Sequence, residues 1–289
     1  MSEINDPIVI VGQARTPIGG LVGDLSEVSG TALGSTAISA AVSRAGLEAN
    51  AVDEVIMGCV LPAGLGQAPA RQAALGAGLP KSTGCTTINK VCGSGMKSIM
   101  LAHDLLIAGT NKVMVAGGME SMSRAPHLIP QARTGYRFGH GKLLDHMAFD
   151  GLEDAYEGEA MGVYAESCAD KYSFTREAQD EYAITSLKRA QAAIESGAFE
   201  EEITPVTYTS RGKEIRVTQD EQPMKARFDK IPQLRPAFKK DGTVTAANAS
   251  SISDGAAAVV LMKLSEATAR GLNPLAKIIA HTSHSQLPS

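Results

Sequence analysis

Asn89-Lys90-Val91-Cys92-Gly93-Ser94-Gly95-Met96-Lys97-Ser98 sets one cysteine among glycines and a serine. Thr86, Thr87 and Ile88 before it read as the end of a strand; Met96, Ile99, Met100, Leu106 and Ile107 after it recur at helical spacing. Cys92 is therefore predicted in a strand-to-helix turn. Thiolates rather than thiols are nucleophiles, and helix N-termini favour negative charge. The glycines allow a sharp turn and a close approach by substrate. A nucleophilic cysteine is the functional reading and a structural cysteine in a glycine-rich turn is the other; position and flanks alone do not choose between them.

Other groups invite chemistry less strongly. Lys225, Arg227 and Lys230 cluster in an acidic chain and suit phosphate groups, although a solvated basic face has the same pattern. His281-x-x-His284 has a spacing that metal sites use, but two ligands make no site, and no metal is expected. Cys59 and Cys168 sit among Ala and Val and read as core packing. With Cys85 and Cys92 they show no paired spacing, so reduced thiols and a cytoplasmic setting are expected.

The elements that must position Cys92 alternate. Strands are predicted at 8–11, 55–60, 86–89 and 113–116, and helices at 31–45, 69–79 and 95–108. This pattern implies an α/β layer with a largely buried sheet. Residues 121–245 are polar and broken by prolines, with helices predicted near 159–172 and 176–196 and a hairpin around Arg211-Gly212. They read as an insertion, because 256–262 resumes the buried-strand pattern, followed by a short helix at 264–271 and a further strand from Leu275 to His281. The 289 residues suffice for one large or two modest domains, and no apolar run reaches membrane length. A net charge of −4 argues against nucleic acid as a partner. The start, Met1 to Pro7, has no signal-peptide pattern.

The segment around Cys92 closely resembles the active-site cysteine motif of the thiolase family. Gly117-Gly118-Met119-Glu120-Ser121-Met122-Ser123, Leu234-Arg235-Pro236-Ala237-Phe238, Gly242 to Ser250, and Ser253-Asp254-Gly255-Ala256-Ala257-Ala258 match in the family's order and approximate spacing. The resemblance implies a layered α-β-α core with an inserted loop domain. On it, 1–120 and 246–272 form the N-terminal core, 121–245 the loop domain, and 273–289 the start of a second half that is largely missing. It implies acyl transfer through an acyl-cysteine at Cys92, forming or cleaving a 3-ketoacyl-CoA, with coenzyme A as a substrate and no other cofactor.

The same resemblance places Ser250 on the pantetheine, Ala246, Ala249 and Phe238 along its tunnel, and Met161 near the acyl group. Lys225 and Arg227 would take the nucleotide end. Ala160 stands where short-chain relatives carry a histidine, which leaves chain-length preference open. Residues 135–142 lie where tetrameric relatives carry a contact loop, so a homo-oligomer is expected. The G-H-P, N-E-A-F-type and C-x-G segments that serve the cysteine in this family do not occur in residues 1–289. A protein ending at Ser289 is therefore expected to be silent and poorly soluble. Two other readings are a condensing enzyme of the same fold acting on acyl carrier protein, and a non-catalytic CoA-binding or assembly subunit.

Overall fold

The computed structural model describes residues 6–287. Its centre is a mixed sheet built from β1 (Ile8–Arg15), β2 (Gly19–Gly20), β3 (Glu54–Gly58), β4 (Gly84–Ile88), β5 (Val113–Ser121), β10 (Ser253–Lys263) and β11 (Ala276–Lys277). The order is β11-β1-β10-β5-β3-β4, with β2 also pairing β10. β3 runs parallel to β4 and β5, whereas β10 is antiparallel to β1 and β5.

Both faces of the centre of the sheet are covered, so β3 and most of β5 are buried at consecutive positions rather than alternating with polar ones. Val55, Met57, Val113 and Val115 pack on one side with α1 (Gly30–Arg44) and α2 (Pro69–Gly76). Ile56, Met114 and Ala116 pack on the other with Ala102 and Leu106 of α3 (Ser94–Ala108). This is the α-β-α layering expected. α1 starts where the Ser29 side chain accepts the Ala32 N–H, and it buries Leu33, Ala37, Ile38 and Ala41 at helical spacing. Small residues let it lie close to the sheet: a Cβ on Gly12 would come within 2.5 Å of the Ala41 carbonyl oxygen.

The inserted block leaves the sheet at the end of β5 and returns at the start of β10, where Ser121 and Asp254 are register partners. It holds β6 (His127–Leu128), β7 (Leu144–Asp145), α4 (Met161–Tyr172), α5 (Arg176–Glu195), the hairpin β8 (Val206–Ser210) and β9 (Lys213–Val217), and α6 (Glu221–Lys225). After β10 comes α7 (Leu264–Ala269).

Three expectations need correction. The strand predicted from Leu275 to His281 is only two residues long, and it pairs with β1 at the edge of this same sheet. Its neighbour Ile278 packs on the α3 side, which explains the choice of partner. Residues 117–118 continue β5 rather than end it. Cys168 is exposed rather than core, because α4 buries the neighbouring Ala169 and the next position round a helix faces elsewhere.

Candidate active site

Gly58 of β3 pairs with Ile88 of β4 and Gly118 of β5, so the carboxyl ends of the three parallel strands lie together. α3 begins directly over them. A Cβ on Gly58 would sit 2.6 Å from the backbone of Ser94, and one on Gly118 would sit 3.3 Å from Gly95 Cα. The glycines of these motifs therefore bring a helix N-terminus onto the strand ends, and Cys92 comes with it.

The turn that carries Cys92 is held by side chains. Asn89 Oδ1 accepts the Val91 N–H at 2.8 Å. Ser94 Oγ accepts the Lys90 N–H at 2.8 Å and donates to the Val91 carbonyl at 2.6 Å. The left-handed residue is Val91, at φ 48°, and not either neighbouring glycine. A β-branched residue there costs about 1–3 kcal/mol. The helix geometry leaves the Gly95 and Met96 N–H groups without a carbonyl one turn back.

Cys92 is exposed and opens into a cavity of about 430 Å³. The walls are mostly apolar or glycine, including Val60, Leu61, Met119 and Ala257, with Arg15, Glu120 and Asp254 as charged members. Each of these three is engaged by neighbours. Arg15 makes a two-pronged pair with Asp220, at 2.8 and 3.0 Å, and a third contact with Glu202 at 2.6 Å. Glu120 accepts the Val60 and Leu61 N–H groups at 2.8 and 3.1 Å and faces the Cys59 thiol. Burial pushes the Glu120 carboxyl above its ordinary range despite those donors. Burial, helped by the charge of Glu120, pushes the Cys59 thiol up to about 12. Asp254 is fully buried, and its Oδ1 accepts the Ser123 N–H at 2.9 Å. Its other oxygen has no hydrogen-bond partner among the described residues.

The remaining predicted site residues lie outside this cavity lining. Phe238 packs on the start of α4, where a Cβ on Gly162 would fall 2.3 Å from its ring, and Met161 is the residue just before. Ala246 and Ser250 are exposed and Ala249 is half-buried. Their loop is pinned by Glu166, which accepts the Thr243 and Val244 N–H groups, and by Asn248, which bonds Thr245 and Asp180. Three residues beyond Ser250 the chain reaches Ser253, which lines the cavity.

The basic cluster is less free than its composition implies. Lys225 is paired with Glu221 at 2.5 Å and Asp24 at 3.4 Å, and Lys230 lies 3.8 Å from Asp229. Arg227 is exposed. Sequence reading also passed over Glu120 and Asp254 as cavity residues, although both stand inside quoted motifs. Their significance is a matter of where β5 and β10 end.

The model of the thiolase N-terminal domain matches residues 8–265. The chain belongs to the thiolase family. It is 50% identical to a probable acetyl-CoA acetyltransferase of Dictyostelium discoideum, over 98% of the chain and 69% of that protein. It is 52% identical to acetyl-CoA acetyltransferase 2 of Arabidopsis thaliana, over 97% of the chain and 70% of that protein. Among solved structures, the Acat5 thiolase of Ascaris suum in complex with coenzyme A superposes with a TM-score of 0.89 at 42% identity, covering 95% of this chain and 70% of that one. The chain thus spans about 70% of the length of these relatives. No helix among the described residues is long and apolar enough to cross a membrane.

Proposed function

We propose that Cys92 is the nucleophile of an acyl-CoA C-acyltransferase that forms or cleaves a 3-ketoacyl-CoA, with an acetyl group as the unit transferred. The observation that carries this is the exposed Cys92 thiol at the start of α3, opening into the apolar cavity. The thiolate attacks the thioester carbonyl of acyl-CoA. A carbon–sulfur bond to Cys92 forms, the one to coenzyme A breaks, and the coenzyme leaves as a thiolate. A second acetyl-CoA gives up a Cα proton, which ends on the departed coenzyme A thiolate. Its carbanion attacks the acyl-cysteine, the carbon–sulfur bond to Cys92 breaks, and Cys92 leaves as thiolate again. One thioester replaces another in the first step, so that step is near neutral in energy. Both steps place charge on a thioester oxygen, and backbone N–H groups at the turn, that of Cys92 among them, are suited to receive it. The acetyl preference is supported by the names of the relatives.

In this reading the pantetheine arm runs past Met161, Phe238, Ala246 and Ala249 and reaches Ser250 on its way to Ser253. The nucleotide phosphates rest on Arg227, with Lys225 already balanced by carboxylates. The insertion acts as a coenzyme-binding loop domain spanning about 121–245, while the strand within 273–289 pairs with β1 of the first half. Residues 135–142, within the exposed stretch 129–143 between β6 and β7, are the contact loop of a homo-oligomer. A cytoplasmic role in acetyl-CoA and fatty-acid metabolism accords with these substrates.

Peptide mapping after brief iodoacetamide treatment, and after incubation with acetyl-CoA, tests the assignment. Cys92 should carry the label and the acetyl group first, and Cys92→Ser should lose both while keeping its circular dichroism. Cys168 is an internal control, because it too is exposed but lies within a helix. In a full-length protein that carries the segments serving the cysteine, Cys168 or Cys85 modified first, with Cys92 inert, would sink the proposal.

A further inference from the structure

His281 does not act with His284. It meets two residues of α3 that lie 178 and 177 positions earlier in the chain. His281 Nε2 is 3.1 Å from His103 Nδ1 and 2.9 Å from Asp104 Oδ1, and those two atoms are 3.1 Å apart. Adjacent residues on a helix point in different directions. Here both side chains nevertheless turn toward one incoming imidazole. The two imidazoles are edge-to-face, with ring centroids 4.8 Å apart. The His103 and His281 side chains are 12% and 24% exposed, while Asp104 is 55% exposed and leaves the group open to solvent on one side.

The triangle of atoms has the size of a metal-ligand face. Zinc binds imidazole nitrogen and carboxylate oxygen at about 2.0–2.2 Å, so a tetrahedral ion holds its ligands about 3.3 Å apart and an octahedral one about 3.0 Å. The observed edges of 2.9 to 3.1 Å need almost no rearrangement to admit an ion above the triangle. Without an ion, two ring nitrogens and one carboxylate oxygen must share protons at these distances, and a cation can take the place of those protons. Two imidazoles and one carboxylate suit a borderline divalent ion, and harder ions such as magnesium or calcium prefer all-oxygen sets.

We propose that His103, Asp104 and His281 form a binding site for a divalent transition-metal ion, zinc in the first instance, completed by water on the exposed side. The ion ties the segment after β11 to the middle of α3, the helix whose N-terminus presents Cys92. This site is independent of the acyl-transfer reading.

Isothermal titration of the metal-free chain with zinc should give one equivalent per chain. His103→Ala, Asp104→Asn and His281→Ala should each weaken binding at least tenfold, whereas His284→Ala should leave it unchanged. Zinc should raise the thermal midpoint of the unaltered chain and not that of His281→Ala. X-ray absorption of the unaltered zinc-loaded chain needs no variant to fold. It should show nitrogen and oxygen neighbours with imidazole scattering and no sulfur shell near about 2.3 Å. Absence of stoichiometric zinc would overturn the proposal. So would binding that survives loss of His103 or His281, a sulfur shell from Cys92 or Cys168, or loss of binding in His284→Ala.

Discussion

The layered core and the inserted block are held together by different forces. The core buries aliphatic side chains: Ile8, Leu33, Ile38, Met57, Leu106 and Leu261 are all fully buried. The block, which leaves the sheet after Ser121, buries carboxylates, namely Glu166, Asp180, Asp220 and Glu221. Each of these has partners. Glu166 receives the Thr243 and Val244 N–H groups, Asp180 pairs with Arg176, and Asp220 holds Arg15. Glu221 receives the Gly20 and Asp24 N–H groups and pairs with Lys225. Apolar burial is non-directional and tolerates repacking. A buried carboxylate with several donors fixes a loop at one place, and it stabilises only while every partner is present.

The sharpest contrast is between Glu120 in the core and Glu166 in the block. Burial pushes both carboxyls up. At Glu120 burial wins over two backbone donors, while at Glu166 the donors from Thr243 and Val244 win and the carboxyl stays below its ordinary range.

The largest expected effect falls on the core. Ile38→Ala removes a fully buried side chain from α1 and should cost about 2–5 kcal/mol in denaturant unfolding. Gly117→Ala should follow at about 1–3 kcal/mol or more, since its Cβ would fall 2.0 Å from the Ala257 carbonyl oxygen on the neighbouring strand. Both should lower the global transition. A loss confined to the block would mean that core and insertion unfold separately.

Glu166→Gln should cost about 1–3 kcal/mol, because an amide cannot accept all the donors the carboxylate does. Hydrogen exchange should localise the change to Thr243, Val244 and the loop they begin, with the sheet protected as before. Uniform loss of protection would erase the distinction.

Acidification should sharpen it. The folded carboxyls of Glu166 and Glu221 lie below their ordinary value, since hydrogen bonds outweigh burial. Their stabilisation is complete above the unfolded value of about 4.3 and is lost as pH falls through the lower folded values. Glu120 has the opposite sign: its folded value is raised, so it detracts from stability above that value, and the penalty eases as pH falls below it and is gone below the unfolded value of about 4.3. Limited proteolysis across this range should cut the block before the sheet. Simultaneous cleavage would count against the contrast.

The smallest effect concerns Cys59, a core cysteine near the same cavity. Burial and the charge of Glu120 push its thiol up to about 12, so alkylation at neutral pH should leave it unmodified in the folded chain. Modification of Cys59 at a rate near that of Cys92 would show that the core opens at this point.

The sequence by itself determined the layered core, the existence of the insertion and the position of Cys92 at a helix start. These rest on local signals: apolar runs of strand length, helical periodicity, and a glycine-rich turn between them. The hairpin and the long helices of the block were legible for the same reason, as α5 opens with Thr175 accepting the Ala178 N–H. Tertiary structure alone decided the rest. It paired β11 with β1, exposed Cys168, placed acids on Lys225, and set Glu120 and Asp254 into the wall beside Cys92. It also brought His281 to His103 and Asp104. Each of these depends on contacts between residues far apart in the chain or on which way a side chain faces. Periodicity shows that a segment buries one face, but the partner on that face is chosen by the packing of the whole sheet.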